Sequence, residues 1–265
     1  MNHELVLATI TKSQIGILTL NRPEKHNAFN HKMIADITQK LHFFSQQPIR
    51  FLIINANGNH FCAGGDLNWM QDMATLNLDD NIADASELAK MLHLIHQFEK
   101  PTIALIQGMA LGGGAGIVSA CDMAISESNA QFGFTETRLG LIPATIGPYV
   151  VHSIGSRWAN YYFLTARIFD AETAFKIGLC HEIVSLEQLL NIETLESIQA
   201  LIKNGPVALT HAKKLVKVLK ETKLSDPKII SMTANMLAQM RASHEGREGI
   251  SAFIEKRQPN WIMKS

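Results

Sequence analysis

Two glycine-rich segments of this sequence could present backbone N–H groups to a ligand. The first, FCAGGDL, covers residues 61–67, and the second, LGGGAG, covers residues 111–116. In each segment the glycines follow a short apolar run and are predicted to lead into a helix. The first N–H groups of a helix have no partner within the helix and carry a partial positive charge. Two such loops facing one oxygen atom would form an oxyanion hole. The alternative from these residues alone is a pair of tight turns that bind nothing.

Neither loop matches a phosphate-binding motif. A dinucleotide fingerprint has glycine at its first, third and sixth positions, and the sixth residue counted from Gly112 is Ile117. The sequence also lacks the Gly-Lys-Ser/Thr that closes a P-loop. The glycines therefore do not indicate a nucleotide-binding loop of either kind.

Metal and thiol chemistry are not predicted. His93 and His96 lie three residues apart on a predicted helix, but the spacing suggests no third ligand. Cys62, Cys121 and Cys180 form no CxxC pair, so a thiolate zinc site is not expected. A scattered, odd set of cysteines is typical of reduced thiols in a cytoplasmic protein. Cys62 is interpreted as a small buried apolar residue rather than a nucleophile.

The composition is that of an ordinary globular protein. Of 265 residues, 46% are hydrophobic and 18% are charged, with a formal net charge of zero. Balanced charge argues against nucleic acid or an anionic membrane as the main partner. The N-terminus lacks the pattern of a signal peptide, and no apolar run is long enough to span a membrane. We therefore expect a cytoplasmic location and no membrane contact.

Strand and helix patterns alternate in the first part of the chain, which predicts an α/β core. Residues 4–23 are predicted to form a hairpin that Pro23 ends, and Asn30 is a candidate N-cap for the helix that follows. That helix carries one apolar face: Met33, Ile34, Ile37, Leu41 and Phe44. Further strands are predicted over residues 50–56, 102–107 and 123–128, and helices over residues 66–79 and 81–98.

Strand signals stop after residue 185, and the rest of the chain is predicted to be helical. Gly205 breaks this region, and Pro206 suits the first turn of the next helix. We expect two domains, an α/β core over residues 1–190 and an all-helical region over residues 191–265. The apolar side chains of the helical region could form a subunit interface or pack within their own domain.

Four segments together resemble the crotonase, or enoyl-CoA hydratase/isomerase, superfamily. They are FCAGGDL, QGMALGGGAGIVSACDMAI, AQFGFTETRLGLIPATIGPYV and EGREGISAFIEKRQPNW, and they occur in the family's order and spacing. The resemblance covers essentially the whole chain and is closest to bacterial methylglutaconyl-CoA hydratase-like members. It implies a spiral of repeated ββα units followed by a helical oligomerisation region, assembled as a homotrimer or as a hexamer of two trimers.

The resemblance also implies catalytic residues. The family's oxyanion donors correspond to the N–H groups of Ala63 and Gly113, and one of its two catalytic glutamates corresponds to Glu136. The second glutamate is replaced here by Gly116. We therefore expect a hydratase acting on a 2-enoyl-CoA, with a double-bond isomerase that uses Glu136 alone as the alternative. An alternative of another class is a non-catalytic protein that binds acyl-CoA or RNA.

Substrate binding is expected along the same loops. Coenzyme A is part of the substrate, so no separate cofactor and no metal are expected. Asp66 is also predicted to cap the helix that begins at Leu67. The residues that the resemblance assigns to CoA and substrate binding are Lys25, Ala63, Gly64, Gly65, Asp66, Leu67, Gly112, Gly113 and Lys256.

Overall fold

The computed structural model describes residues 4–262 and divides the chain into two compact units. The first unit consists of Met1–Phe98 and Thr102–Ile192. The second consists of Glu99–Pro101 and Glu193–Ser265. The candidate catalytic residues all lie in the first unit, and Lys256 lies in the second.

Strands of the first unit form two sheets. A six-stranded sheet has the order β1-β2-β3-β4-β6-β9, in which β1 and β2 are antiparallel and the other pairs are parallel. A three-stranded sheet has the order β5-β7-β8. The strands are β1 (Val6–Ile10), β2 (Ile15–Leu20), β3 (Phe51–Ala56), β4 (Thr102–Ile106), β5 (Met109–Leu111), β6 (Met123–Glu127), β7 (Gln131–Gly133), β8 (Phe169–Asp170) and β9 (Glu182–Val184).

Helices follow most of these strands. They are α1 (His31–Ser45), α2 (Leu67–Thr75), α3 (Leu78–Gln97), α4 (Gly113–Ala120), α5 (Gly147–Thr165), α6 (Ala171–Lys176) and α7 (Leu186–Leu190). Short 3₁₀ helices span Pro23–Lys25, Glu136–Leu139 and Ile192–Thr194. The alternation of parallel strands and helices confirms the predicted α/β core.

The hydrophobic pattern explains the core. Every residue of β4 is buried, and β3 is buried except for one partly exposed position, as expected for parallel strands covered on both faces. The predicted apolar face of α1 is buried as a whole. Asn30 caps this helix, since its side chain accepts a hydrogen bond from the Met33 N–H at 2.9 Å. The predicted hairpin, core strands and first helix are therefore confirmed.

The second unit is helical in its described residues. Its helices are α8 (Glu196–Lys203), α9 (Pro206–Glu221), α10 (Lys228–Ala242) and α11 (His244–Ile254). Pro206 occupies the first turn of α9, as predicted. The carboxylate of Glu245 accepts from the N–H groups of Val207 and Ala208 at 3.0 and 2.7 Å, which joins the starts of α9 and α11. Side-chain capping of this kind satisfies N–H groups that the helix cannot.

No helix within residues 4–262 is long and apolar enough to cross a membrane. The same residues contain no cluster of three or more His, Cys, Asp or Glu side chains that could hold a metal ion.

Candidate active site

The two glycine-rich loops lie side by side. The Cys62 N–H donates to the Met109 carbonyl at 2.9 Å, and the Leu111 N–H donates to the Cys62 carbonyl at 2.9 Å. A Cβ at Gly114 would lie 2.7 Å from the Cβ of Cys62, which is closer than real side chains approach. Glycine at this position therefore lets the start of α4 rest directly on the first loop.

A third segment holds the first loop from its other side. The Phe29 N–H donates to the Gly64 carbonyl, and the Asp66 N–H donates to the Phe29 carbonyl, both at 2.8 Å. Across a trans peptide the carbonyl and the N–H point in opposite directions, and no cis peptide is present among the described residues. Because the Gly64 carbonyl points toward Phe29, the Gly65 N–H points away from it. This N–H has no hydrogen-bond partner within residues 4–262.

The start of α4 supplies a second unpaired donor. The Gly112 carbonyl accepts from the Gly116 N–H at 2.9 Å, so the Gly113 N–H on the same peptide as that carbonyl points away from the helix. Gly112 is the N-cap residue of α4, and no side chain caps the helix there. Its φ of 50° is in the left-handed region, which favours glycine. The Gly113 N–H finds no acceptor in the described part of the chain.

The structure does not support Ala63 as a donor of this site. The Cys62 carbonyl points toward Leu111 in the second loop, so the Ala63 N–H points away from that loop. The Ala63 N–H instead donates to the His26 carbonyl at 3.0 Å. The prediction for Ala63 is therefore wrong in this structure. The N–H groups of the first loop that find no acceptor among the described residues include that of Gly65.

Glu136 lies where the two loops meet. Its Oε1 is 3.4 Å from the position that a Cβ on Gly112 would occupy, and the Cα of Gly64 is 3.9 Å from the same position. Its other oxygen, Oε2, is buried and has no hydrogen-bond partner among the described residues. The 3₁₀ helix that begins at Glu136 is fixed in place by hydrogen bonds from the two residues that follow Glu136. The Thr137 hydroxyl donates to the Phe163 carbonyl at 2.8 Å, and the Arg138 guanidinium donates to the Ala166 carbonyl.

Burial raises the pKa of the Glu136 carboxyl above its ordinary value of 4.5, although a hydrogen bond with its own backbone lowers it in part. A raised pKa in the folded state means that ionisation of Glu136 opposes folding. Its contribution to stability is therefore full below about pH 4.5 and is lost as the pH rises through the folded-state pKa. Such a carboxyl is suited to carrying a proton at near-neutral pH.

We expect Glu136→Gln to be more stable than the wild type at neutral pH, because glutamine carries no charge into the buried site. Urea unfolding at a series of pH values measures the difference in free energy of unfolding. This difference should be near zero at about pH 4 and should increase in favour of the variant toward about pH 8. A difference that does not change with pH would contradict burial of an ionisable Glu136.

The side chain of Ile146 fills the space beside Gly116. A Cβ on Gly116 would lie 2.4 Å from Cγ2 of Ile146, which is 1% exposed, and 3.5 Å from Leu92, which is fully buried. Position 116 therefore carries no second carboxylate and has no room for one. The sequence indicated the missing carboxylate but not the residue that takes its place.

We expect Gly116→Ala to lower the free energy of unfolding by about 1–3 kcal/mol, which is typical of overpacking in a core. Urea denaturation measures this loss. The double variant Gly116→Ala/Ile146→Ala is the control, because the shortened residue 146 leaves room for the new methyl group. It should be more stable than the sum of the single effects predicts. Additive effects would argue against direct contact.

Asp66 has a structural role beside the first loop. Its side chain caps α2 by accepting from the Asn68 N–H at 2.9 Å, as predicted, and it pairs with Arg22 at 2.7 Å. Burial alone would raise the pKa of Asp66, but hydrogen bonds from the backbone of Asn68 and from Arg22 lower it below its ordinary value. Arg22 also donates to the Ala28 carbonyl at 3.1 Å, so the pair ties the loop to the segment before α1.

The remaining predicted binding residues are spread over the molecule. Lys25 is exposed in the 3₁₀ helix Pro23–Lys25, next to His26, and Leu67 is 76% exposed at the start of α2. Lys256 is exposed in the second unit. The structure thus brings together Gly64, Gly65, Gly112, Gly113 and Glu136. Phe29 and His26, whose backbone groups orient the first loop, were missed because their sequence gives no sign of this pairing.

Comparison with known proteins gives consistent matches over the whole chain. Residues 10–264 match the family described as Enoyl-CoA hydratase/isomerase. The chain is 31% identical to the crotonyl-CoA hydratase of Syntrophomonas wolfei, over 96% of this chain and 96% of that protein. It is 28% identical to the 2,3-dehydroadipyl-CoA hydratase of Escherichia coli, over 94% and 96%. A crystal structure of an enoyl-CoA hydratase from Shewanella pealeana is 38% identical, with a TM-score of 0.90 and coverage of 97% and 96%.

Proposed function

Because this chain belongs to the enoyl-CoA hydratase/isomerase family and is an enzyme of that family, we propose that it adds water to the double bond of a 2-enoyl-CoA thioester. The observation that carries the proposal is one half-buried carboxyl, Glu136, whose Oε2 is buried, beside two loops that each offer an unpaired N–H group. Both relatives named above are hydratases of CoA thioesters. A non-catalytic binding protein would have no use for the carboxyl.

The two N–H groups would act on the thioester carbonyl. As water adds, electrons move from the double bond into the carbonyl, and the oxygen gains negative charge. Donors at Gly65 and Gly113 stabilise this enolate-like state more than the neutral thioester, and such selective stabilisation lowers the barrier. Each donor of an oxyanion hole is typically worth about a hundredfold in rate.

Glu136 would transfer the proton. As a carboxylate it takes a proton from the attacking water while the oxygen forms a bond to Cβ of the substrate. It then gives that proton to Cα, and the electrons of the enolate form the new C–H bond. The carboxylate is restored, and the atoms of one water molecule have been added. One carboxyl can serve both steps, which is consistent with the absence of a second one at position 116.

Double-bond isomerisation is the alternative that one observation favours. An isomerase needs one base to move a proton between two carbons. The packing of Ile146 against Gly116 leaves no second carboxylate there, and Asp66 is engaged by Arg22 and the Asn68 N–H. Glu136 is therefore the carboxyl available as a base beside the glycine loops. The named relatives argue for hydration. We therefore put hydration first.

Activity measured on both 2-enoyl-CoA and 3-enoyl-CoA esters tests the proposal. The purified chain is incubated with 2-enoyl-CoA and 3-enoyl-CoA esters, unbranched, branched or carrying a distal carboxylate, and the 3-hydroxyacyl-CoA and rearranged enoyl-CoA products are quantified separately. We expect 3-hydroxyacyl-CoA from 2-enoyl-CoA as the main product. Conversion of 3-enoyl-CoA to 2-enoyl-CoA without hydration would overturn the proposal in favour of the isomerase. The branched members of the panel test the methylglutaconyl-like substrate that the sequence suggests.

Binding of CoA and assembly extend the proposal. Lys25 and Lys256 are candidate contacts for the CoA phosphates, since both are exposed cations.

A trimer or hexamer is supported by exposed apolar residues on the helices of the second unit. Among them are Ile230, which is 73% exposed, Leu237, which is 52% exposed, and Phe253, which is 85% exposed. The mass in solution, compared with 29.3 kDa for one chain, tests the assembly.

A further inference from the structure

The side chain of Trp69 supports the loop that carries the Gly65 N–H. A Cβ on Gly65 would lie 3.4 Å from the side chain of Met70 and 3.6 Å from Cε3 of Trp69, so the indole ring lies beside this part of the loop. Trp69 belongs to α2, which begins two residues after Gly65. The orientation of the Gly65 peptide is therefore linked to the position of the Trp69 ring.

One carboxylate oxygen holds the Trp69 ring. Oδ1 of Asp84 accepts a hydrogen bond from Nε1 of Trp69 at 3.3 Å and lies 2.8 Å from Nδ1 of His31. The rings of His31 and Trp69 also meet edge to face, with centroids 5.7 Å apart. The Asp84 side chain is 11% exposed and the His31 side chain is 60% exposed, so it is the Asp84 end of these bonds that is shielded from water. Three helices, α1, α2 and α3, are thus joined through one oxygen.

The rest of α2 offers little other anchorage. None of its residues is fully buried, and Leu67 at its start is 76% exposed. Its N-terminus is fixed by the Asp66 cap and by Arg22. Because apolar packing of α2 is limited, polar contacts to neighbouring helices carry a larger part of the work of fixing its position.

We propose that His31, Trp69 and Asp84, which we call the Asp84 brace, are positioning residues that fix the direction of the Gly65 N–H. The inference rests on the proposed function, in which this N–H binds the thioester oxygen. A preorganised donor stabilises developing charge better than one that must reorient during the reaction. Loosening the brace therefore weakens polarisation of the bound thioester and lowers kcat, while the affinity for CoA is retained.

Three variants test the hydrogen bond between Trp69 and Asp84, and the bond of His31 to Asp84 is also lost in Asp84→Ala. Trp69→Phe keeps an aromatic ring and removes the donor, Asp84→Ala removes the acceptor, and Asp84→Asn keeps an oxygen that accepts from Trp69. We expect kcat on a 2-enoyl-CoA to fall about five- to tenfold in Trp69→Phe and in Asp84→Ala, which is within the range of one typical hydrogen bond lost. The double variant Trp69→Phe/Asp84→Ala should be no slower than Asp84→Ala, and Asp84→Asn should stay within about twofold of the wild type, since its bond persists.

The controls and a second readout distinguish positioning from general destabilisation. Trp158→Phe on α5 and Asp79→Asn in the first turn of α3 are matched changes at exposed positions away from the glycine loops.

The second readout is the carbonyl stretching band of the bound thioester, measured by infrared difference spectroscopy. In the wild type this band should be shifted to lower frequency than in the free thioester. It should return toward the free value in Trp69→Phe and Asp84→Ala, with the affinity for CoA unchanged within about twofold.

Two outcomes overturn the inference in different ways. If the wild type hydrates the substrate and shifts the carbonyl band, but Trp69→Phe and Asp84→Ala behave like the controls in kcat and in the band, the Asp84 brace has no positioning role. If the wild type neither hydrates the substrate nor shifts the band, the proposed function fails, and the role of the brace fails with it.

Discussion

Glu136→Gln is expected to lower kcat on a 2-enoyl-CoA by about a hundredfold or more, because glutamine can neither take the proton from water nor return it to Cα. The amide has nearly the same shape as the carboxyl, so binding of the substrate should change little. Steady-state rates and the dissociation constant of a non-reactive acyl-CoA measure the two effects separately.

Glu172→Gln is the matched control for this prediction. Glu172 lies in α6 with its side chain 77% exposed, and the same chemical change there should leave kcat unaltered. A Glu136→Gln enzyme that keeps most of its rate would remove Glu136 from the mechanism. The proton would then have to be carried by a different group.

Gly65→Pro is expected to lower kcat about a hundredfold, the typical effect of losing one oxyanion donor, because proline has no N–H. The hydrogen bonds around position 65 use the Gly64 carbonyl and the Asp66 N–H, so both can remain. Gly65→Ala is the control. Its Cβ would meet the side chains of Met70 at 3.4 Å and Trp69 at 3.6 Å, and the N–H is retained. Steady-state kinetics of both variants, with circular dichroism to check folding, measure the contrast.

A backbone ester in place of the peptide between Gly64 and Gly65 removes the N–H alone and covers the case in which proline disturbs the loop. It should reproduce the loss seen with Gly65→Pro. If the ester, Gly65→Pro and Gly65→Ala all keep the wild-type rate, the Gly65 N–H is not an oxyanion donor. The donor assigned to the first loop is then wrong.

The sequence predicts the core of the fold because local patterns determine it. The apolar face of α1 and its Asn30 cap lie within 15 residues of each other, and β3 and β4 are apolar except for Asn55 and Thr102. The strands β5, β7, β8 and β9 were not predicted, since they are two or three residues long. Strands this short carry no recognisable period.

The choice between Ala63 and Gly65 could not be made from the sequence. Which N–H of the first loop is unpaired depends on where the neighbouring carbonyls point. Those directions are set by Phe29 and Leu111, which lie more than 30 residues away on either side. A motif identifies the loop, but the pairing of the backbone is needed to exclude Ala63 as its donor.

Contacts between distant side chains were also beyond the sequence. Ile146 fills the space at Gly116, and Asp84 joins Trp69 to His31. Each pairing follows from how the helices pack, because the residues come from different elements. The glycines and Glu136 were recognised as a pattern, whereas the residues that fix their geometry required the structure.

The central claim is that a thioester carbonyl binds between Gly65 and Gly113 beside Glu136. A crystal structure of Glu136→Gln with a bound 2-enoyl-CoA tests it most directly, because the variant should bind the substrate without consuming it. We predict that the carbonyl oxygen lies about 3 Å from the nitrogens of both Gly65 and Gly113, with the side chain of residue 136 next to Cα and Cβ of the substrate. A carbonyl oxygen that lies away from these two nitrogens, or an acyl group remote from residue 136, would contradict the account.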